Sequence, residues 1–232
     1  MPKAIKKRIQ KKTTDTEVEV KERLSSLRDT LKERQKTVLQ YGIVILVILA
    51  AFVGFLIYSS ASKKKAQGIA YEGYKIYTSA AQTQTSNKDE QYQKALELFQ
   101  KASDTRKSPF SLFYIAACYY ELGKQDEALK ALKDFARTYA DDDKYAPLAY
   151  QKMALIYAKQ GNIDEAKKAL DSISSMKGDI YKDFALLEYG KLLEKEGKSD
   201  EAKKKYKEFM QKFPNSPFKD EVTAKLSGKK EG

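Results

Sequence analysis

Between Thr37 and Ser62 the chain carries no charged residue, and Tyr41 to Tyr58 reads YGIVILVILAAFVGFLIY. Apolar side chains on every face predict a helix whose surroundings are not water. At about 1.5 Å per residue such a run covers roughly 30 Å, the hydrocarbon thickness of a bilayer. Tyr41 and Tyr58 stand at its ends, where amphipathic rings favour the interface; Arg34 and Lys36 precede it and Lys63, Lys64 and Lys65 follow. The pattern predicts a transmembrane helix over 41–62. The run is longer than the apolar region of a cleaved signal peptide, and 40 residues stand before Tyr41, so a retained signal anchor is expected.

Upstream the pattern changes twice. MPKAIKKRIQKK has six basic residues and no acid, which predicts a basic, disordered cytoplasmic tail over 1–16 that sets topology and can touch anionic headgroups. From 17 to 40, Val20, Leu24, Leu27, Leu31 and Val38 form one helical seam between charged faces. This predicts a juxtamembrane amphipathic helix running into the span. The seam suits weak coiled-coil pairing, interrupted by Arg34.

Downstream, a phrase recurs: GKQDEALKAL from Gly123, GNIDEAKKAL from Gly161 and GKSDEAKKKY from Gly197, spaced by 38 and then 36 residues. Seven residues before each Gly stands a small residue, Ala116, Ala154 or Gly190. Apolar residues at eleven, eight and four before it complete one helical face (Leu112, Ile115, Tyr119 in the first unit). After the Gly come Ala128, Ala166, Ala202, then Leu132, Leu170, Tyr206, then Phe135, Ile173, Phe209, a second amphipathic helix. The Gly is expected to close the first helix with positive φ. Asp126, Asp164 and Asp200 are expected in the first turn of the second helix, satisfying free N–H groups and the helix dipole rather than acting as catalysts. Ser108-Pro109 and Ser216-Pro217 read as N-cap followed by first helical residue, and Pro147 opens the third unit. An earlier unit shows in YQKALELFQKA, through Ala95, Phe99 and Ala102, paired with KAQGIAYEGYKIYTSAAQ across the loop TQTSNKD. The segment after Pro217 reads as a capping half unit.

The fold class is therefore all-α: one N-terminal transmembrane helix followed, over 63–232, by an α-solenoid of about 3.5–4.5 helix pairs. Zero His and Trp and one Cys, Cys118, leave little catalytic chemistry, and no enzyme activity, cofactor or metal is expected. Cys118 lies in IAACYY and reads as a buried, inert thiol. GKLLEKEGKS has six residues between its glycines where a phosphate loop needs four. The net charge of +12 splits evenly, with 12 Lys/Arg against 6 Asp/Glu before Ser62 and 32 against 26 from there on. Interspersed charges describe solvated helix faces, and no nucleic-acid partner is expected. Twelve basic residues precede the span and four occupy the 20 residues after 62, so the N-terminus is expected in the cytoplasm and the repeats outside it.

These residues resemble the tetratricopeptide repeat: the small residue, the Gly in the turn, the following Ala, and Pro214 at the end of the last unit, over roughly 88–227. Trp is absent, and Ala140 and Gly178 stand where a closing Pro would be. YKEFMQKFPNSPFKDEVTAKL is similar to repeats of bacterial envelope proteins, including outer-membrane-assembly lipoproteins. The whole arrangement, with YAPLAYQKMALIYAKQGNIDEAKKAL, resembles the YfgM-type family, the ancillary subunit of the Sec translocon. The resemblance implies a single-pass inner-membrane protein with periplasmic repeats, associated with the Sec translocon, a membrane-tethered periplasmic chaperone or translocating clients. The cytoplasmic arm is longer than in that family. The alternative expectation is an envelope-assembly or cell-division accessory factor using the repeats on a different partner.

The first helix of each pair is expected to line the inner face. By helical direction its candidates are Phe110, Phe113, Ala117 and Tyr120, then Gln151, Leu155 and Lys159, then Phe184, Leu187 and Lys191. An aromatic patch grading into Lys suits an extended or partly unfolded polypeptide. The Lys/Asn set that grips C-terminal carboxylates in some co-chaperone repeats is missing, because Phe113 and Ala117 occupy the matching places.

Overall fold

The structure is a computed structural model that describes residues 15–33, 35–82, 87–179 and 181–228. Among them ten helices follow in order: α1 (Asp15–Glu33), α2 (Gln35–Gln82), α3 (Lys88–Thr105), α4 (Pro109–Glu121) and α5 (Gln125–Tyr139), then α6 (Ala146–Lys159), α7 (Ile163–Ser175), α8 (Lys182–Lys195), α9 (Ser199–Lys212) and α10 (Lys219–Ser227). They fall into two compact units, Met1–Ser60 and Ala61–Gly232. Most of the expected tail, up to residue 14, lies outside the described residues, as do the side chains of Leu31 and Val38 in the juxtamembrane seam.

The described residues of 17–40 are helical on both sides of residue 34, α1 ending at Glu33 and α2 beginning at Gln35, and residue 34 itself lies outside the described residues. α2 runs for 48 residues and includes both the apolar stretch and the residues expected to open the repeat region. By length and composition it can cross a membrane: its apolar window has a mean hydropathy of 2.7 and none of it is buried.

In the second unit α4 packs on α5, α6 on α7 and α8 on α9, and α3, α5 and α7 each pack on the helix that follows. The end of α2 joins α3 through Tyr77 on Tyr92, ring centroids 5.4 Å apart, and through the Ser62 hydroxyl, which donates to the Thr105 carbonyl. The predicted second-helix positions are core: Ala128, Leu132, Phe135, Ala166, Leu170, Ile173, Tyr206 and Phe209 are fully enclosed.

The three turns are one structure repeated. Gly123, Gly161 and Gly197 have φ of 73°, 77° and 75°. The amide after each reaches back five residues, Lys124 to the Tyr119 carbonyl (2.9 Å), Asn162 to Tyr157 (2.8 Å) and Lys198 to Leu193 (2.9 Å). That is the Schellman closure, which satisfies carbonyls the helix end leaves free. The next residue bends again as an inverse γ-turn, with φ/ψ of −82°/72° at Lys124 and −82°/69° at Asn162. A Cβ at Gly161 would meet no atom within 4 Å. Its replacement by Ala therefore pays only for the left-handed backbone, and a loss of about 1 kcal/mol is expected in chemical denaturation.

The small residue of each first helix is matched to the side chain it faces. Ala116 and Ala154 occur in the units whose second helix carries Leu132 and Leu170; Gly190 and Gly73 occur where that position is Tyr206 and Phe99. A Cβ on Gly190 would lie 2.7 Å from Tyr206 Cζ and 2.8 Å from Cδ1, and closer still to Cε1. A Cβ on Gly73 would lie 3.3 Å from the Phe99 ring and 3.2 Å from Leu98 Cβ. One methyl is removed where one ring is added, which keeps interior density constant along the array.

Two expected helix starts differ. Ser108 caps α4, its hydroxyl accepting from the Ser111 amide at 3.1 Å, but Ser216-Pro217-Phe218 forms a turn and α10 begins at Lys219. The Ser216 hydroxyl donates to Asp183 Oδ2 at 2.7 Å and accepts from the Phe218 amide at 3.2 Å, so it ties α8 to the chain end instead of capping a helix. Asp126, Asp164 and Asp200 sit in their first turns, yet α5, α7 and α9 have no side-chain cap bond. Their contribution is charge beside the helix N-terminus.

Candidate partner-binding face

The first helices α4, α6 and α8 carry every predicted contact residue, and packing divides these residues. Phe113, Phe184 and Leu187 retain only 8%, 7% and 1% exposure. They belong to the core: Phe113 lies 5.7 Å from Tyr145 and Phe184 6.3 Å from Phe218 (ring centroids), while Leu187 joins the cluster around Tyr206 and Phe209. Ala117 is also buried. One helical position is enough to turn a side chain from the open face into the seam with the next pair.

Phe110 is half-buried in an aromatic cluster with Tyr74, Phe99 and Tyr114, at centroid distances of 5.9, 5.9 and 4.8 Å. Its outer side lines a cavity of about 720 Å³ with Ala66, Ala70, Tyr71 and Tyr139. Tyr120 is half-buried beneath the Lys152 ammonium, 4.1 Å above its ring centroid. Further along, Gln151 is half-buried, and Leu155 and Lys159 are exposed, Leu155 at 38%. Leu155 is the one large aliphatic side chain of the repeat unit so exposed among the described residues.

Lys191 is already held inside its own chain. Its ammonium pairs with Glu188 at 2.9 Å and with Glu221 of α10. Burial pushes its pKa down, and the hydrogen bonds to Glu221 and Glu188 outweigh it and leave the pKa raised. Lys225 of α10 likewise pairs with Glu194 of α8 at 3.0 Å, so the last helix covers this end of the face with charge pairs.

Three residues that sequence spacing did not select complete the middle of the face. The Tyr77 hydroxyl lies 3.5 Å from Glu121 Oε1, and burial first, then the Glu121 charge, raises its pKa. Burial holds the Lys152 ammonium below its ordinary value, against the pull of Glu121. Lys152 follows Gln151 by one residue, and the folding of α6 beside α4 brings it over Tyr120, 32 residues earlier in the chain, a meeting no local motif marks.

The arrangement supplies an apolar contact at Leu155, an aromatic–cation pair beside it and amines at its edge. It supplies no activated nucleophile: burial first, then Glu121, pushes the Cys118 thiol up to about 12. A folded-state pKa above the free thiol's stabilises the folded chain below about pH 8.5, and that contribution falls as pH rises past it. Cys118 should accordingly resist a thiol reagent at pH 8 in the folded chain and react promptly in denaturant. Among the described residues no group of three or more Cys, Asp or Glu is placed to hold a metal ion.

The sequence profile of the tetratricopeptide repeat-like domain matches residues 33–228. The chain belongs to that family. Its repeats generally mediate protein–protein contacts and are typically non-enzymatic scaffolds. Among solved structures, the nearly identical TPR-like repeats of a putative kinesin light chain from Podosopora anserina share 14% identity with this tetratricopeptide repeat protein. They align over 72% of this chain and 85% of that one, with a TM-score of 0.53. MamA of AMB-1 shares 17% identity over 69% of this chain and 79% of its own, with a TM-score of 0.50. YrrB, described as a TPR protein with an unusual peptide-binding site, shares 17% over 61% and 68%, with a TM-score of 0.47. At these identities the likeness is one of fold. No curated protein matches the chain.

Proposed function

We propose that this tetratricopeptide repeat protein is a membrane-anchored scaffold that presents its first-helix face to polypeptides outside the cytoplasm, as an ancillary factor of the Sec translocon and of a membrane-tethered periplasmic chaperone. The anchor rests on the charge-free stretch between Thr37 and Ser62, carried on the unburied part of α2. Twelve basic residues before the span hold the N-terminus in the cytoplasm, and a long domain crosses with little regard to charge. The binding role rests on one observation: Leu155 stands exposed between half-buried Gln151 and exposed Lys159, next to the Tyr120–Lys152 pair. An extended segment can lay an apolar side chain on Leu155 and its carbonyls against the amines. The choice of translocon and chaperone rests on the resemblance of the whole arrangement to the YfgM-type family.

The test is crosslinking in intact membranes followed by identification of what is joined to the repeats. Sec components and translocating chains are the expected adducts. Wall-synthesis or outer-membrane machinery recovered without Sec components would contradict the assignment. A reporter fused after Gly232 should be active only outside the cytoplasm.

A further inference from the structure

α1 separates its residues into three strips. Val20, Leu24, Leu27 and Leu31 recur at four- and three-residue spacing along one side. Lys21, Arg28 and Lys32 border that strip on one flank and Arg23 on the other, while Glu19, Glu22, Asp29 and Glu33 lie away from it with Val18 among them; Glu17, seven residues before Leu24, falls in line with the strip at the start of the helix. The described apolar side chains of the strip are exposed, Val20 at 52%, Leu24 at 60% and Leu27 at 59%. One cation is drawn toward the acidic side, Arg23 pairing with Glu19 at 2.9 Å, an exposed pair of little energetic weight.

Two occupants can cover such a strip, a second copy of the helix or a lipid surface. Taking Val20 and Leu27 as d and Leu24 and Leu31 as a, the e positions are Lys21 and Arg28 and the g positions Arg23 and Thr30. In a parallel pair e faces g of the other helix, and in an antiparallel pair e faces e and g faces g. Both arrangements bring like charges together. A membrane surface with anionic headgroups reverses the balance: the leucines enter the acyl boundary, the flanking cations meet phosphates, and the acids of the opposite side point to water.

We infer that α1 lies along the cytoplasmic surface of the membrane and binds its anionic lipids, rather than pairing with a second α1. This rests on the proposed anchor in α2. It gives the longer cytoplasmic arm a lipid-sensing contact independent of the repeats.

The chain has no Trp, so Leu24→Trp places a sole indole in the strip. The full-length variant is reconstituted in nanodiscs of phosphatidylcholine alone or with phosphatidylglycerol, one chain per disc. Indole emission should shift to the blue only with the anionic lipid, and high salt should reverse the shift. Arg23→Glu combined with Arg28→Glu should abolish it. Leu27→Trp, on the same strip, should respond as Leu24→Trp does. Emission indifferent to lipid charge would overturn the inference while leaving the anchor standing. So would a shift that appears only when two chains share a disc. Failure of the chain to enter nanodiscs at all would overturn the anchor and this inference together.

Discussion

Gly190→Ala should lower the stability of the repeats by about 1–3 kcal/mol, although Ala is the better helix former by about 1 kcal/mol. The new methyl would overlap the Tyr206 ring, which is fully enclosed and cannot swing out. The sister units supply the control, because Ala faces Leu in both of them: Ala116 with Leu132, Ala154 with Leu170. Adding Tyr206→Leu to Gly190→Ala should therefore recover much of the loss, a coupling that a double-mutant cycle measures in detergent by urea unfolding. Loss of stability with no recovery in the double variant would mean that the ring is not what the glycine accommodates.

Phe135→Ala carries the other large effect. Phe135 is fully buried in the cluster that joins the second and third helix pairs, with Tyr139 at 5.7 Å between centroids. Removing the ring should cost about 3–5 kcal/mol, since the helices on both sides cannot close over the space. That is a large part of the roughly 5–15 kcal/mol available to a domain of this kind. Because each pair is stabilised by its neighbours, the unfolding transition should also broaden as the array uncouples around the defect. A drop below about 1 kcal/mol would show that the interior repacks freely, against the density expected of a core.

What was legible in the chain, and what was not, follows from the range of the forces involved. Gly123, Gly161 and Gly197 end helices through their own backbone, and Ala128, Leu132 and Phe135 face inward by periodicity alone, so both could be read locally. Ser108 caps α4 as its motif implies. The identical motif at Ser216 does not cap: α10 begins three residues later, at Lys219, and the hydroxyl accepts from the Phe218 amide while donating to Asp183, 33 residues away, a partner no local rule contains. Burial of part of the first-helix face has the same cause. Phe113, Phe184 and Leu187 sit at positions that point outward on a lone helix, yet the seams between pairs enclose them. Lys152 reaches Tyr120 only through the folding of α6 beside α4. Spacing identifies which side of a helix is apolar; how neighbouring pairs close on each other decides which part of the other side remains open.

The proposed function places polypeptides on the first helices, at Leu155. A photo-crosslinking residue placed at Leu155, and in a second variant at Lys168, exposed on the second helix α7, tests it in native membranes. Illumination should join proteins to the chain from position 155 and leave position 168 free of adducts. Adducts from 168 with none from 155 would contradict it.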